Sequence, residues 1–241
     1  MSEHSTDNSI YTPGESWKIF DRISRRYDFL NRFLSFGIDA SWRKTLLMYL
    51  PKRENLEILD LATGTGDVII TIAQNNENIK SVHGIDLSKK MLAIGRAKIA
   101  NYPFKDKIQL QTGDISKIPF NDNRFDCDTM AFGIRNSPDV KATLKEIFRT
   151  LKPSGRALIL EFSQPQNPLI RLSHRIYLKC FLPVIGALFS GNFKAYRYLS
   201  STILSFPYGE EFCQLMRGAG FKNVRANPLT FGVATIYQGD K

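Results

Sequence analysis

The sequence predicts an α/β fold built around a doubly wound, parallel sheet. Between residues 55 and 165, apolar segments with strand character alternate with segments of helical periodicity, an order typical of βα units. The first strand runs into "LATGTGD", and a glycine-rich turn between a strand and a helix is typical of the ligand-binding edge of this fold class. The length of 241 residues fits one domain with an added subdomain better than two independent domains.

The N-terminal part of the chain is predicted to be helical after a polar arm. Residues 1–14 are polar and end in "TPG", and residues 1–15 are expected to form a flexible arm. From Trp17 to Leu34 apolar residues recur at three- and four-residue steps, which predicts an amphipathic helix with a basic polar face. Such a helix suits a membrane surface, and it equally suits a domain surface on which its charges face water. With a second helix at Ala40–Leu50, residues 16–50 would form a helical cap.

The central segments supply five strands and three helices. Strands are expected at Glu57–Leu61, Ser81–Ile85, Ile108–Thr112, Phe125–Phe132 and Arg156–Phe162. Helices are expected at Val68–Gln74, Lys89–Ala100 and Lys141–Leu151, followed by a turn at Lys152–Gly155.

The alternation stops after Pro165. Residues 166–208 are expected to be a helical insertion, because 168–205 are apolar and aromatic without another βα unit. A helix at Glu210–Arg217 and two short strands at Asn223–Ala226 and Val233–Gln238 complete a single domain at 16–241.

The net charge, the cysteines and the apolar segments indicate which partners, metal sites and membrane spans to expect. The net charge of +10 favours nucleic acid or anionic lipid as a partner, yet the basic residues are spread along the chain as in many proteins without such partners. Cys127, Cys180 and Cys213 have no C-x-x-C spacing, so we expect buried thiols, a reducing cytoplasm and no metal site. The most apolar window, Ile176–Phe189, is too short to cross a bilayer.

The turn after the first strand indicates the kind of ligand. Gly64 and Gly66 allow close approach of backbone to a bound molecule. A dinucleotide site would have a third glycine where Ile69 stands, and Asp67 adds a negative charge that would repel a pyrophosphate. An NAD-dependent oxidoreductase is therefore disfavoured, and a nucleoside with a positive charge is favoured.

Acids at the next two strand ends extend this site. Asp86 is placed to accept hydrogen bonds from both ribose hydroxyls, and Asp114 from an adenine amino group beside Ile115. Each acid alone also fits a helix cap or a turn. Together, and without a phosphate-binding lysine, they predict a site for S-adenosylmethionine.

Further motifs resemble those of a known family. "YDFLNRFLSFGIDASWR" (Tyr27–Arg43), "FGIRNSPD" (Phe132–Asp139) and "RTLKPSGRALILEFSQP" (Arg149–Pro165) are similar to signatures of the ubiquinone/menaquinone biosynthesis C-methyltransferase family, a branch of the class I methyltransferases. The C-terminal segments "YRYLSSTILSFP" and "LTFGVATIYQGDK" follow the same family's order. The chain departs from the family where Asp39 and Tyr237 replace histidines and Ser154 replaces a glycine.

The resemblance implies a Rossmann-like, mostly parallel sheet with an antiparallel C-terminal strand, and it adds Thr65 to the cofactor-binding residues. It implies methyl transfer to a ring carbon of a polyprenylated quinol, with demethylmenaquinol as the first candidate and 2-polyprenyl-6-methoxy-1,4-benzoquinol as the alternative. Such a site must align the reactants and stabilise a phenolate, a task that suits Arg135 with Asn136 beside it. Arg135 equally suits a salt bridge to Asp139 or another nearby acid.

The insertion would then bind the substrate. Tyr27, Tyr196 and Tyr198 are expected near the acceptor ring, and His174 is the only histidine placed to reach it, although a structural or solvent-facing role fits it better. An apolar channel for the isoprenoid tail could be lined by Leu172, Ile176, Leu178, Phe181, Leu182, Val184, Ile185, Leu188 and Phe189. The alternative is that these residues form the core of the subdomain, as some of them must. Contact with an anionic membrane at its inner face is expected for such a substrate, and a homodimer is compatible with the sequence.

Two other functions compete with this one. A nucleic-acid methyltransferase would grip an extruded base, and the chain lacks an aromatic-flanked Asn-Pro-Pro motif for that purpose, so no nucleic-acid partner is expected. A lipid-binding protein that retains the fold without catalysis is the second, and it would not bind S-adenosylmethionine.

Overall fold

The computed structural model describes residues 16–190 and 193–241. The predicted arm at 1–15 therefore lies outside the described residues. Within the helices, the description omits the side chains of Ser16, Ile19, Phe20, Arg22, Ile23, Arg25, Arg26, Tyr27, Phe189 and Ser190.

One sheet organises the described part of the chain. Its seven strands are β1 (Leu56–Leu61), β2 (Ile79–Asp86), β3 (Ile108–Thr112), β4 (Phe125–Ala131), β5 (Leu151–Phe162), β6 (Lys222–Leu229) and β7 (Ala234–Asp240). They lie in the order β3-β2-β1-β4-β5-β7-β6. The pairs from β3 to β5 are parallel, and β7 is antiparallel to both β5 and β6. The predicted doubly wound sheet with an antiparallel C-terminal strand is confirmed.

Helices surround this sheet. The described helices are α1 (Ser16–Leu34), α2 (Ile38–Leu46), α3 (Asp67–Asn75), α4 (Lys89–Ile99), α5 (Val140–Thr150), α6 (Pro168–Ile176), α7 (Leu182–Ser190), α8 (Phe193–Ser205) and α9 (Glu210–Gly218). A π-helical turn at Tyr177–Phe181 joins α6 to α7, and a 3₁₀ turn at Ile134–Asn136 follows β4.

Both faces of the sheet are buried, as a doubly wound fold requires. Along β1, Leu59 and Leu61 face a core built with α5 and α9, whereas Leu56 and Ile58 face a core built with α2 and α3. All four side chains are fully buried. This alternation follows from the two-residue period of a strand. Because helices cover both faces of the sheet, a ligand site is expected at the carboxyl ends of the strands.

One local expectation about the central segments is corrected. The turn predicted at Lys152–Gly155 lies inside β5, because α5 ends at Thr150 and Leu151 already pairs with Phe125. The strand is irregular there, and the backbone of Ser154 takes a left-handed conformation with φ 64°.

The insertion forms a third, smaller core with α1. Leu30 of α1 packs with Leu178, Leu182, Tyr196 and other residues of the insertion. The channel expected from the insertion is correct only in part, since Leu172, Ile176, Phe181, Val184 and Leu188 are exposed. Cys180 is also exposed, contrary to expectation, while Cys127 and Cys213 are buried.

Within residues 16–190 and 193–241, every helix is too short or too polar to pass through a lipid bilayer.

Candidate active site

The turn between β1 and α3 presents backbone to the carboxyl edge of the sheet. Gly64 and Gly66 have φ values of 57° and 80°, and a Cβ added at Gly64 would meet no atom within 4 Å. Ala62, which precedes them, also has a left-handed backbone with φ 51°. The turn is therefore open on the side of Gly64, where a ligand can approach the main chain.

Asp86 ties this turn to the end of β2. Its two carboxylate oxygens accept hydrogen bonds from the backbone N–H groups of Gly64 and Ser88, each at 2.8 Å. Burial raises the pKa of Asp86 above its ordinary value. The carboxylate thus organises the glycine turn, and each oxygen keeps a lone pair for ligand hydroxyls.

Asp114 and Ile115 lie at the end of β3. Asp114 Oδ1 accepts from the backbone N–H of Ser116 at 2.8 Å and from its hydroxyl at 2.6 Å. Ile115 is half-buried against the core. Because β3, β2 and β1 are neighbours in the sheet, these residues share one edge with the glycine turn.

Thr65 is hydrogen-bonded to residues of α1 and α4 that the sequence alone did not place near it. Its hydroxyl donates to Asp28 Oδ1 of α1 at 2.6 Å, and Lys98 Nζ lies 3.0 Å from Asp28 Oδ2 and 3.1 Å from Thr65 Oγ1. Lys98 also pairs with Asp67, whose other oxygen lies 3.3 Å from Arg43 Nη2. The expectation that Asp67 adds negative charge to the site is therefore corrected, because two cations offset that charge.

Helix α1 makes a second contact at the carboxyl edge of the sheet, between β2 and α4. Asp21 accepts a hydrogen bond from the hydroxyl of Ser88, which caps α4 through the N–H of Met91. The Asp28 contact could have been found from the sequence, since Asp28 stands in the first family signature. Asp21 and Lys98 carry no comparable signal.

Two buried oxygens at the end of β1 suit a polar, cationic ligand. Asp60 Oδ2 and Thr63 Oγ1 make no hydrogen bond of standard geometry within the described residues, although the Thr63 hydroxyl lies beside the Asp60 carboxyl. Asp60 Oδ1 accepts from Thr129 at 2.6 Å. Burial raises the pKa of Asp60 to about 7. An open glycine turn, buried oxygens and acids on three strand ends fit S-adenosylmethionine, which carries both a sulfonium and an ammonium group.

We expect the affinity for S-adenosylmethionine to rise as the pH increases toward 7. Below its pKa of about 7 Asp60 is protonated in the free protein, and a cationic ligand favours the ionised form, so binding must release that proton. The dissociation constant should fall by up to about tenfold per pH unit on the acid side of that pKa. Calorimetric titrations in buffers of different ionisation enthalpy measure both the affinity and the proton release.

Asp60→Asn is the control for this effect, because an amide keeps an acceptor for Thr129 but does not titrate. A wild-type profile as flat as that of this variant would show that Asp60 does not ionise on binding.

A cavity of about 280 Å³ lies at the carboxyl ends of β4 and β5. Its walls are mostly aromatic and apolar, and they come from α1, α2, the insertion and the ends of β4 and β5. Trp42 lies against Phe132 and Phe162, with ring centroids 6.0 and 6.1 Å apart. A ring-shaped, apolar ligand suits such walls.

Two contacts connect the surroundings of the cavity with the glycine turn and the start of α3. Gly133, just after β4, approaches Ala62 so closely that an added Cβ would lie 2.7 Å from the Ala62 Cβ. Arg43 lines the cavity and also contacts Asp67 at the start of α3. Two substrates bound on either side would therefore meet at the switch point between β1 and β4.

A buried ion pair stands at the wall of this cavity through its arginine. Arg135 Nη1 lies 2.6 Å from Glu161 Oε1, and the two side chains are 4% and 0% exposed. The same nitrogen donates to the Phe132 carbonyl at 2.7 Å, while Nε is buried without a partner in the described structure. The acid that pairs with Arg135 is Glu161, and not Asp139, which instead caps α5. Glu161 was missed, although an acid inside the apolar run "ALILEF" is a signal.

The structure brings most of the predicted substrate residues to the same cavity. Asn136, Tyr196 and Tyr198 line it, and the Tyr198 hydroxyl donates to Asn136 Oδ1 at 3.3 Å. The predicted role of Tyr27 falls on a side chain that lies outside the described residues.

His174 also lines the cavity, so the expectation of a structural or solvent-facing side chain needs correction. Its Nδ1 is buried and lacks a partner among the described residues. Burial lowers the pKa of His174, so its ring is neutral at physiological pH.

Two positions at which this chain lacks a histidine of the family have other roles. Asp39 pairs with Arg43 beside the cavity. Tyr237 is a core residue whose hydroxyl accepts a hydrogen bond from the backbone N–H of Gly209 at 2.7 Å.

Comparisons with known proteins identify the family of this chain. The model of the ubiE/COQ5 methyltransferase family matches residues 12–241. The ubiquinone/menaquinone biosynthesis C-methyltransferase UbiE of Geotalea daltonii is 46% identical, across 93% of this chain and 95% of that protein. The demethylmenaquinone methyltransferase of Thermus thermophilus is 41% identical, across 92% of this chain and 100% of that protein.

Solved structures share the fold. A putative S-adenosylmethionine-dependent methyltransferase of Methanococcus maripaludis has a TM-score of 0.60 at 21% identity, covering 100% of this chain and 97% of that chain. Phosphoethanolamine N-methyltransferase 2 of Haemonchus contortus, solved with S-adenosyl-L-methionine, has a TM-score of 0.61 at 18% identity, covering 89% and 46%. The predicted fold class and cofactor are confirmed. The chain therefore belongs to the ubiE/COQ5 methyltransferase family, and it is a class I methyltransferase that depends on S-adenosylmethionine.

Proposed function

We propose that the protein is a C-methyltransferase of quinone biosynthesis that converts demethylmenaquinol to menaquinol. The observation that carries this proposal is the aromatic cavity at the carboxyl ends of β4 and β5, with Arg135 of the buried Arg135–Glu161 pair in its wall. Relatives named as demethylmenaquinone methyltransferases, at 40% and 41% identity, support the naphthoquinol as the acceptor.

The chemistry requires a nucleophilic ring carbon. S-adenosylmethionine supplies the methyl group as an electrophile when it is bound. The acceptor carbon becomes nucleophilic when a neighbouring hydroxyl loses its proton and electron density moves into the ring. The chain must therefore accept a proton and stabilise the phenolate oxygen that remains.

Arg135 is the residue that stabilises the phenolate in this proposal. It is permanently cationic and cannot act as the base. Its side chain lines the cavity, and the positive charge of the guanidinium suits an oxygen anion bound there. Tyr198 and Asn136 hold each other by a hydrogen bond and orient the acceptor ring in the same wall.

His174 accepts the proton in this proposal. The ring lines the cavity and is neutral because burial lowers its pKa, so an imidazole nitrogen can accept a proton there. The hydroxyl proton of the quinol passes to His174, and the oxygen keeps the electron pair as a phenolate.

Replacing His174 with glutamine is expected to lower kcat at neutral pH by roughly 100-fold, the usual contribution of a general base. In the wild type, kcat should fall as the pH drops below the depressed pKa of His174 and should be level above it. In the variant, the rate should instead keep rising with pH as hydroxide replaces the histidine. Steady-state kinetics with a short-tailed demethylmenaquinol across this range tests the prediction.

Ser173→Ala is the matched control, because Ser173 lies beside His174 on α6 and its exposed hydroxyl contacts only the backbone of Ile170. If His174→Gln kept the wild-type pH profile, the proton acceptor would be another group.

The substrate assignment itself has a direct test. Purified protein is incubated with labelled S-adenosylmethionine and with short-tailed analogues of demethylmenaquinol and of the ubiquinol precursor, both kept reduced. Label in the naphthoquinol alone is the expected result, and label in both would mean that the protein serves two acceptors. Cofactor binding without transfer to either would refute the proposed acceptor.

We also propose that the protein works in the cytoplasm at the inner face of the membrane. The proposed acceptor carries an isoprenoid tail and is dissolved in a bilayer, so the cavity must receive it from there.

A further inference from the structure

An apolar surface on the insertion has no partner in the described structure. Leu169, Leu172 and Ile176 of α6 are 78%, 58% and 46% exposed, and α6 buries none of its residues. Phe181 follows in the π-helical turn at 55%, and Val184 and Leu188 of α7 follow at 53% and 78%. We call these six residues the α6–α7 apolar face.

The spacing shows that this face is continuous. Three- and four-residue steps separate its members within α6, and again from Phe181 through α7, so each set lies on one side of its helix. The five-residue step from Ile176 to Phe181 spans the π-helical turn. Six large apolar side chains on one face exceed what a surface in contact with water alone normally presents.

The charge around this face has one sign. Residues 162–209 contain no aspartate or glutamate, whereas they contain five lysines and arginines. Of these, Arg175, Lys179, Lys194 and Arg197 are exposed. Apolar side chains among cations match the interface of a bilayer that contains anionic lipids.

The proposed acceptor cavity lies behind the same helices. His174, Tyr177 and Leu178 line the cavity, and Leu178 and Leu182 pack in the small core. One side of this helical segment thus faces the quinol site, while the opposite side is the apolar face.

We propose that the α6–α7 apolar face inserts into the surface of an anionic phospholipid bilayer, from which the isoprenoid quinol enters the cavity. This inference rests on the proposed function for the identity of the quinol. It places membrane contact on the insertion, and it does not require the basic face of α1 that the sequence suggested.

The test measures sedimentation of the full chain with vesicles of phosphatidylcholine, with and without about a third of phosphatidylglycerol. The wild type should sediment with the anionic vesicles at low salt. The double variant Leu172→Glu/Leu188→Glu should bind at least about tenfold more weakly, because two inserted leucines are lost. Met48→Glu is the matched control, since Met48 is 72% exposed outside the insertion, next to Tyr49, whose carbonyl accepts from Arg156 of β5, and should leave binding unchanged.

Cys180 gives an independent readout at the face itself. It is exposed, whereas Cys127 and Cys213 are buried, so a water-soluble maleimide should label it selectively. Anionic vesicles should slow this labelling at least about tenfold if the insertion enters the bilayer interface. A cysteine introduced by Met48→Cys in a Cys180→Ser background should be labelled at the same rate with and without vesicles.

Methyl transfer separates this inference from the proposed function. The double variant should keep wild-type rates with a short-tailed acceptor in solution and lose activity toward a long-tailed acceptor in vesicles. Absence of transfer to either acceptor by the wild type, with vesicle binding intact, would refute the proposed function alone. Absence of vesicle binding, equal weakening by Met48→Glu, or a dimer that the double variant dissociates would overturn the inference.

Discussion

Arg135→Gln is expected to lower kcat by roughly 1000-fold, the upper range for loss of one donor to a developing oxyanion. Arg135 lines the acceptor cavity, and its guanidinium is buried, so its charge acts on a phenolate without screening by water. Glutamine keeps a donor but loses the charge. Single-turnover methyl transfer at saturating cofactor measures this effect without the contribution of product release.

Glu161→Gln separates the catalytic role of Arg135 from its role in an ion pair. This change leaves the arginine buried without its anion, at a cost of about 3 kcal/mol in the free energy of unfolding. The cation that faces the acceptor remains, so kcat should fall far less than in Arg135→Gln. If both variants lose stability and activity in parallel, then Arg135 acts through the fold and not on the phenolate. Denaturant unfolding of both proteins supplies the comparison.

Asp86→Ala is expected to raise the dissociation constant for S-adenosylmethionine by roughly 100-fold or more, since hydrogen bonds to a charged group contribute about 1.5–3 kcal/mol each. The carboxylate accepts from the N–H groups of Gly64 and Ser88, and these bonds hold the glycine turn in its open shape. The same oxygens are the predicted acceptors for the ribose hydroxyls. Calorimetry or equilibrium dialysis measures the affinity.

Two variants frame the Asp86 result. Asp86→Asn keeps one acceptor oxygen, so its affinity should lie between those of the wild type and of Asp86→Ala. Asp106→Ala removes an exposed acid just before the start of β3, away from the carboxyl ends of the strands where the cofactor binds. It should leave the affinity for S-adenosylmethionine unchanged. Wild-type affinity in Asp86→Ala would place the ribose elsewhere on the sheet edge.

Sequence patterns could place the residues that directly follow the strands of βα units. Asp86 and Asp114 follow strands whose order in the sheet is a property of βα units, so their shared edge was predictable. Thr65 and Asp28 are 37 positions apart, and their hydrogen bond depends on how α1 packs over the sheet edge. Apolar periodicity indicates that a helix has a buried face, but it does not specify which polar groups meet across that face.

The insertion also shows that apolar periodicity does not specify which partner covers an apolar face. Its apolar residues predict helices, as the structure shows, but the sequence does not specify which of them line a channel, which form the core of the subdomain and which are exposed. The structure divides them between a small core around Leu178 and Leu182 and an exposed face that includes Leu172 and Leu188. Two apolar stripes on one helical segment look alike in sequence, and only the position of α1 and α8 decides which stripe is covered.

The sequence by itself determined the doubly wound sheet, the glycine turn, the acids at the strand ends and the family, because these features depend on local periodicity and on motifs of neighbouring residues. Only the tertiary structure decided that Arg135 pairs with Glu161, that His174 faces the cavity and that Lys98 and Arg43 offset the charge of Asp67. The physical reason is that the charge and hydrogen bonding of a side chain are set by partners that folding brings from distant positions. Local patterns specify which surfaces are buried, and packing then specifies which polar groups those surfaces bring together.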